Sequence, residues 1–136
     1  MEKNNEKQPV NILMVIGVDQ TTEGVMLKYE RDRLNAIIQK MDAYGGVFFD
    51  ETTIEELWRY QDFNTIEIVG AYTETDVLSA ALRLAAVAPE WGRIIVDQHY
   101  CIGLTPETER EAFHIMAMNG IETYEIENDE EEIWHV

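Results

Sequence analysis

Apolar and polar residues follow one another along the chain in blocks that predict strands and helices in turn. Val10 to Val18 is an apolar run rich in Val and Ile, which is typical of a strand buried on both faces. Val25 to Met41 repeats apolar residues at helical spacing, and Gly45-Gly46 predicts the end of that helix near by. Val47 to Phe49 is too short to assign, whereas Thr52 to Trp58 predicts a short helix.

The second half of the chain continues the alternation with five further segments. They are a strand over Thr65 to Val69, a helix over Asp76 to Val87, a strand over Arg93 to Val96, a helix over Thr105 to Met118 and a strand over Ile121 to Ile126. In the last helix Thr105 is the predicted N-cap, Pro106 suits the first position and Asn119-Gly120 predicts the end. Strands alternating with helices predict an α/β fold, a three-layer Rossmann-like domain with a mostly parallel sheet of about five strands. Ligands are then expected outside the carboxyl ends of the strands.

Length and composition predict one globular domain. A chain of 136 residues with 46% hydrophobic residues can bury a substantial core. We expect residues 10–126 to form the domain, between a flexible N-terminus at 1–9 and an acidic C-terminal tail at 127–136. No apolar run is long enough to span a bilayer. The polar start of the chain and the single cysteine, Cys101, predict a cytoplasmic protein without a disulfide.

The charge balance restricts the partners. The chain has 10 Lys and Arg against 27 Asp and Glu, a formal net charge of −17, which repels nucleic-acid phosphates and anionic lipids. We therefore expect no direct nucleic-acid partner and no membrane association. The acidic run within Glu127 to Glu132 predicts a solvated tail. The alternative is a surface that docks on a basic protein, even as an acidic inhibitor of a nucleic-acid-binding protein.

The stretch Ile66 to Ala81 predicts a strand, a tight turn and a helix, with Gly70 at the strand end and Thr73-Glu-Thr-Asp-Val77 in the turn. It resembles the isochorismatase-like cysteine hydrolases, whose signature has glycine at the strand end and then Thr-Asp-x-Cys-Val. Val96 to Met116 resembles the family's later strand, turn and closing helix, and Phe49 to Leu57 resembles its Phe-x-x-Thr-x-Leu helix. The three matches occur in the family's order and spacing.

The resemblance implies a nucleophilic cysteine, an aspartate that takes its proton and a lysine that steadies the charges. Asp76 occupies the cysteine position in this chain, and Ala43 occupies the lysine position, with Lys40 the nearest lysine. Asp19 follows the first predicted strand, two places beyond the family's aspartate. Cys101 corresponds to a position that is not the nucleophile. The resemblance therefore implies a shortened isochorismatase-like domain that lacks the catalytic Cys and Lys.

The candidate site residues come from this comparison and from the predicted strand ends. The catalytic candidates are Asp76 and Asp19, and the binding candidates are Tyr72, Thr73, Thr75, Asp97 and His99. The structural alternative is that Thr73 and Asp76 form a capping box at the helix start. Asp97 and His99 have no third ligand at a suitable spacing and are more often turn residues, so no metal site is predicted. No phosphate-binding loop or CxxC motif is present, so no cofactor is predicted.

Three functions remain open from the sequence. The first is a domain that has lost cysteine-hydrolase activity and binds a small molecule or a protein. The second is a residual hydrolase of a small amide or vinyl ether, with Asp76 as acid or base. The third is the acidic inhibitor. The family resemblance also implies a homodimer that associates through the helices beside Asp76.

Overall fold

The structure, a computed structural model, describes residues 10–17, 28–44, 47–50, 63–87 and 93–126. The strands are β1 (Val10–Ile16), β2 (Val47–Asp50), β3 (Phe63–Ala71), β4 (Arg93–Ile102) and β5 (Glu122–Tyr124). The helices are α1 (Lys28–Ala43), α2 (Leu78–Val87) and α3 (Pro106–Met118), and a π-helical turn, Thr73–Val77, precedes α2. The predicted helix over Thr52 to Trp58, the N-terminus and the acidic tail lie outside the described residues.

The five strands form one parallel sheet in the order β2-β1-β3-β4-β5. The α/β fold predicted from the alternation of strands and helices is therefore confirmed. Because all strands run in the same direction, their carboxyl ends meet at one edge of the sheet. That edge holds Gly17, Gly70 and Ile102, and it is where an α/β domain binds its ligands.

Both faces of the sheet are covered, which makes three layers. Alternate residues of β3 point to opposite faces. Ile66 and Ile68 pack in one apolar cluster with residues of α2 and α3. Val69 and Ala71 pack in a second cluster with Tyr29 and Ile37 of α1. In the described part of the chain, no helix is both long and apolar enough to cross a membrane.

The carboxyl end of β3 passes unusually close to β1. Gly70 pairs with Ile16 and has a φ of +131°, a conformation that side chains disfavour. A Cβ added at Gly70 would lie 1.9 Å from the Ile16 carbonyl oxygen. Glycine is therefore required where β3 leaves the sheet.

Strand β4 is longer than the predicted Arg93 to Val96 because it pairs with β3 in two stretches, one before and one after a bulge. Ile68 is opposite Val96, and Gly70 is opposite Cys101. The residues between, 97–100, form a bulge against the single residue Val69. The bulge places the predicted binding residues Asp97 and His99 near the carboxyl end of β4.

The predicted ends of α3 are confirmed. Thr105 has extended backbone and its side chain accepts a hydrogen bond from the Thr108 amide at 3.0 Å. Pro106 is the first helical residue. Gly120 follows the helix with a φ of +82°, as expected of a C-terminal stop.

Candidate functional site

Two strand-to-helix connections that the structure describes throughout their length lie at the carboxyl edge of the sheet. We call residues 70–77, between β3 and α2, the α2 junction, and residues 97–109, from the β4 bulge into α3, the α3 junction. In the α2 junction Thr75 and Asp76 are exposed, Tyr72 is half-buried and Thr73 is fully buried. The predicted site residues of this junction therefore divide into an exposed pair and a buried threonine.

The prediction that Thr73 and Asp76 form a capping box is wrong about Thr73, which is not the N-cap residue. The N-cap of the π-helical turn is Tyr72, which makes no side-chain capping bond. Its carbonyl oxygen accepts the Thr75 and Val77 amides, each at 3.1 Å. The Thr73 hydroxyl instead donates to Oε2 of Glu109 at 2.5 Å, because Thr73 lies inside the domain and faces α3.

Glu109 is the functional candidate that the sequence analysis missed. Its side chain is fully buried in the first turn of α3, and its second oxygen, Oε1, accepts a hydrogen bond from Gln98 Nε2 at 2.8 Å. Burial raises the pKa of Glu109 from 4.5 to about 7, against the opposing effects of the bonds from Thr73 and Gln98 and of the Arg33 charge. A carboxyl group of this kind changes its charge near neutral pH.

The sequence did contain a signal for this residue. Glu109, Ala112, Phe113 and Met116 are separated by three and four residues, and all four are buried. Helical spacing thus places Glu109 on the apolar stripe of α3, where a charged residue is rare unless it has partners.

The β4 bulge is organised by hydrogen bonds of its own. The Asp97 carboxylate accepts the His99 amide at 3.0 Å and lies 2.9 Å from His99 Nδ1. Oε1 of the buried Gln98 accepts the Ile126 amide at 2.7 Å. Asp97 and His99 therefore contact each other within the bulge, as turn residues do, while Gln98 connects Glu109 with the chain after β5.

Helix α1 lies on the face of the sheet opposite α2 and α3, and it holds the β4 bulge from that side. Nη1 of Arg33 donates to the carbonyl oxygens of Gln98 at 2.9 Å and Cys101 at 2.7 Å. The Arg33 guanidinium lies 5.6 Å from the centre of the Tyr29 ring. The Tyr29 hydroxyl donates to the Gly103 carbonyl oxygen, and burial raises its pKa. The phenol is therefore neutral near pH 7.

Glu74 connects the two junctions at the surface. Its carboxylate accepts the Leu104 amide at 2.9 and 3.0 Å and the Thr105 amide at 3.3 Å. It also accepts the Thr108 hydroxyl at 2.6 Å. A residue of the α2 junction thereby satisfies the backbone donors that lead into α3.

Cys101 is fully buried and packs as a small core residue. Burial raises the pKa of its thiol well above the ordinary value, and the Glu109 charge raises it further. The thiol is therefore neither ionised nor accessible near neutral pH.

The predicted candidates are distributed as follows. Thr73 contacts Glu109, and Asp97 contacts His99, while Asp19 lies outside the described residues. No group of three His, Cys, Asp or Glu side chains suited to a metal ion occurs within residues 10–17, 28–44, 47–50, 63–87 and 93–126.

A cavity of about 370 Å³ lies between α1 and the β4 bulge. It is lined by Ala36, Gln39, Lys40, Ala43, Tyr44 and Tyr100. Lys40 Nζ lies 3.0 Å from a carboxylate oxygen of Glu67 and 4.2 Å from the centre of the Tyr100 ring. None of the predicted site residues lines this cavity, and Lys40 is engaged by Glu67.

Comparison with known proteins gives a result at the level of the fold. No protein-family model and no curated protein matches the sequence. Among solved structures, the chain is similar to a nicotinamidase from Staphylococcus aureus, with a TM-score of 0.64 and 16% identity over 85% of this chain and 99% of that one. It is also similar to a pyrazinamidase of Pyrococcus horikoshii solved in complex with zinc, with a TM-score of 0.62 and 13% identity over 87% of this chain and 100% of that one. The chain therefore shares the α/β fold of these two solved structures.

Proposed function

We propose that the chain is an isochorismatase-like domain that binds a small molecule at the carboxyl edge of its sheet and has no cysteine-hydrolase activity. The observation that carries the proposal is the place of its cysteine. The sequence has one cysteine, and Cys101 is fully buried between the sheet and the helices.

Cysteine hydrolases need an accessible thiolate, because the thiol itself is a poor nucleophile. The Cys101 side chain has no exposed surface, and burial raises its pKa well above the usual range. Glu109 and Asp97 add negative charge near by, which disfavours the thiolate further. Cys101 therefore cannot take the place of a nucleophile in the α2 junction.

The α2 junction is nevertheless exposed where a ligand can reach it. Asp76 and Thr75 are exposed beside the carboxyl end of β3, and Tyr72 is half-buried next to them. Ligands of α/β domains bind at this edge of the sheet. These polar side chains support a binding role there, for a small molecule or for a segment of a partner protein. The homodimer expected through the neighbouring helices stays a prediction.

The first test is amide hydrolysis, with nicotinamide and pyrazinamide as probes. We expect no ammonia release above the buffer rate from the wild-type chain, and the same result from Asp76→Ala. Iodoacetamide should leave Cys101 unmodified in the native chain and modify it fully in urea, because the buried thiol is reached only after unfolding. Intact mass spectrometry measures the modification.

The second part of the test is binding. Each probe is titrated into the ¹⁵N-labelled chain, and we expect amide shifts at residues 70–77 that are weaker in Asp76→Ala. Thr123→Val on β5 is the control, because Thr123 belongs to neither junction. Ammonia release by the wild type that Asp76→Ala abolishes would contradict the proposal and support a residual hydrolase acting through Asp76.

A further inference from the structure

The Glu109 side chain occupies a closed space between three segments of the domain. Its two oxygens accept the Thr73 hydroxyl from the α2 junction and the Gln98 amide from the β4 bulge. Gly103 lies against the same group, since a Cβ added there would be 2.6 to 2.9 Å from the Glu109 carboxyl atoms. The carboxyl group is therefore enclosed by Thr73, Gln98 and Gly103.

The two hydrogen bonds respond differently to a proton on Glu109. The Nε2 group of Gln98 can only donate, so Oε1 of Glu109 must remain an acceptor in both charge states. The Thr73 hydroxyl can donate or accept, so a proton on Oε2 reverses this bond. The Thr73 hydroxyl hydrogen must then turn toward another acceptor. Protonation of Glu109 thus changes the bonding of Thr73 and leaves that of Gln98 in place.

The charged and titratable groups around Glu109 come from every element that packs against it. Arg33 of α1 favours the anion, and Glu74 of the α2 junction disfavours it. Tyr29 of α1 and Cys101 of β4 also interact with Glu109, and burial keeps both of them neutral near pH 7. The balance between one cation and one neighbouring carboxylate leaves the Glu109 charge open to change.

We propose that Glu109 is a proton-dependent positioning residue, whose change of charge alters the hydrogen bond to Thr73 and thereby shifts the conformation of the α2 junction that carries Asp76. Thr73 is the first residue of the π-helical turn, and Asp76 is the fourth. A change in the bonding of Thr73 is therefore passed on through a single helical turn. The proposed change takes place in the ligand-free chain and does not require ligand binding.

The experiment is an NMR titration of the ligand-free chain from about pH 5 to about pH 9, across the Glu109 pKa of about 7. The side-chain carboxyl carbon of Glu109 reports its charge, and the amides of Thr73, Thr75 and Val77 report the junction. We expect all four signals to titrate with one shared midpoint. In Glu109→Gln, which imitates the protonated form, the shared transition of the three amides should be lost.

The difference between the wild type and Glu109→Gln defines the Glu109 contribution, separately from that of every other titrating group. Thr73→Val provides a second variant that keeps the carboxyl group. There Glu109 should still titrate, while the amides of Thr75 and Val77 no longer follow it. The matched control is Thr75→Val, which removes an exposed hydroxyl from the same turn and should leave the coupling intact.

The proposal is overturned if Glu109 titrates at the midpoint of an exposed glutamate. It is equally overturned if Glu109 titrates near pH 7 while the junction amides do not move, or move as much in Glu109→Gln as in the wild type. None of these results depends on whether the domain binds a ligand.

Discussion

The α2 and α3 junctions meet at the same edge of the sheet but expose different chemistry. The α2 junction presents Thr75 and Asp76 to solvent. The α3 junction encloses Gln98, Cys101 and Glu109. Buried hydrogen bonds to ionisable groups are stronger and more specific than exposed ones. The exposed residues of the α2 junction therefore belong to a turn whose buried Thr73 is hydrogen-bonded to the α3 junction.

Two contacts connect the α2 junction to the α3 junction. Thr73 is a buried residue of the α2 junction, and its hydroxyl donates a hydrogen bond to the Glu109 carboxyl group. Glu74 follows it and binds the amides of Leu104 and Thr105 on the other junction. The backbone of the α2 junction is therefore fixed at one end by Gly70 against β1 and along its length by the α3 junction.

The largest effect is expected at Gly70, where β3 enters the α2 junction. Gly70→Ala should destabilise the chain by more than about 4 kcal/mol, because the new Cβ meets the Ile16 backbone. Urea unfolding measures the loss, and failure to recover folded protein is the extreme form of it. Gly120→Ala is the control, since Gly120 also has a positive φ but no heavy atom within 4 Å of the added Cβ. It should cost about 1 kcal/mol. Equal losses at the two glycines would show that the close approach to β1 is unimportant.

The next effect is the pH dependence of stability that Glu109 creates. An unfolded glutamate has the ordinary pKa of 4.5, and the folded value is raised to about 7. Between these values the folded chain holds a proton that the unfolded chain has released. The stability contributed by Glu109 is therefore present below about pH 4.5 and lost as the pH rises through 7, by about 3 kcal/mol in all.

Urea unfolding of the wild type and of Glu109→Gln at a series of pH values measures this contribution. The stability of the wild type relative to the variant should fall by about 3 kcal/mol from pH 4.5 to pH 7.5. Glu111→Gln, an exposed acid on the same helix, should follow the wild-type curve closely. Parallel curves for the wild type and Glu109→Gln would show that the buried carboxyl keeps an ordinary pKa.

The sequence predicted the parts of the fold that depend on local pattern. Apolar runs located β1 and β3, and the Thr105, Pro106 and Gly120 signals located both ends of α3. These features depend on neighbouring residues only. The sequence correctly predicted the turn between strand and helix in the α2 junction, and the capping-box interpretation of Thr73 was wrong.

The missed features depend on residues that are distant in the chain. The β4 bulge arises from pairing Gly70 with Cys101, and no pattern within β4 indicates that register. The Thr73 hydroxyl binds Glu109, 36 positions away, a contact that the local pattern of Thr73 and Asp76 does not indicate. Glu109 itself could have been found from its place on the apolar stripe with Ala112 and Phe113.

The smallest effect is expected where Glu74 links the two junctions at the surface. Glu74→Gln keeps one oxygen for the backbone amides but loses the charge, and it should cost about 1 kcal/mol because hydrogen bonds to charged groups are the stronger ones. Hydrogen exchange of the Leu104 and Thr105 amides should accelerate in the variant, since both donate to this carboxylate. Glu107→Gln is the matched control, an exposed acid in the first turn of α3. If the two variants exchange these amides at the same rate, charge near the helix start is sufficient, and the specific link between the junctions through Glu74 is not needed.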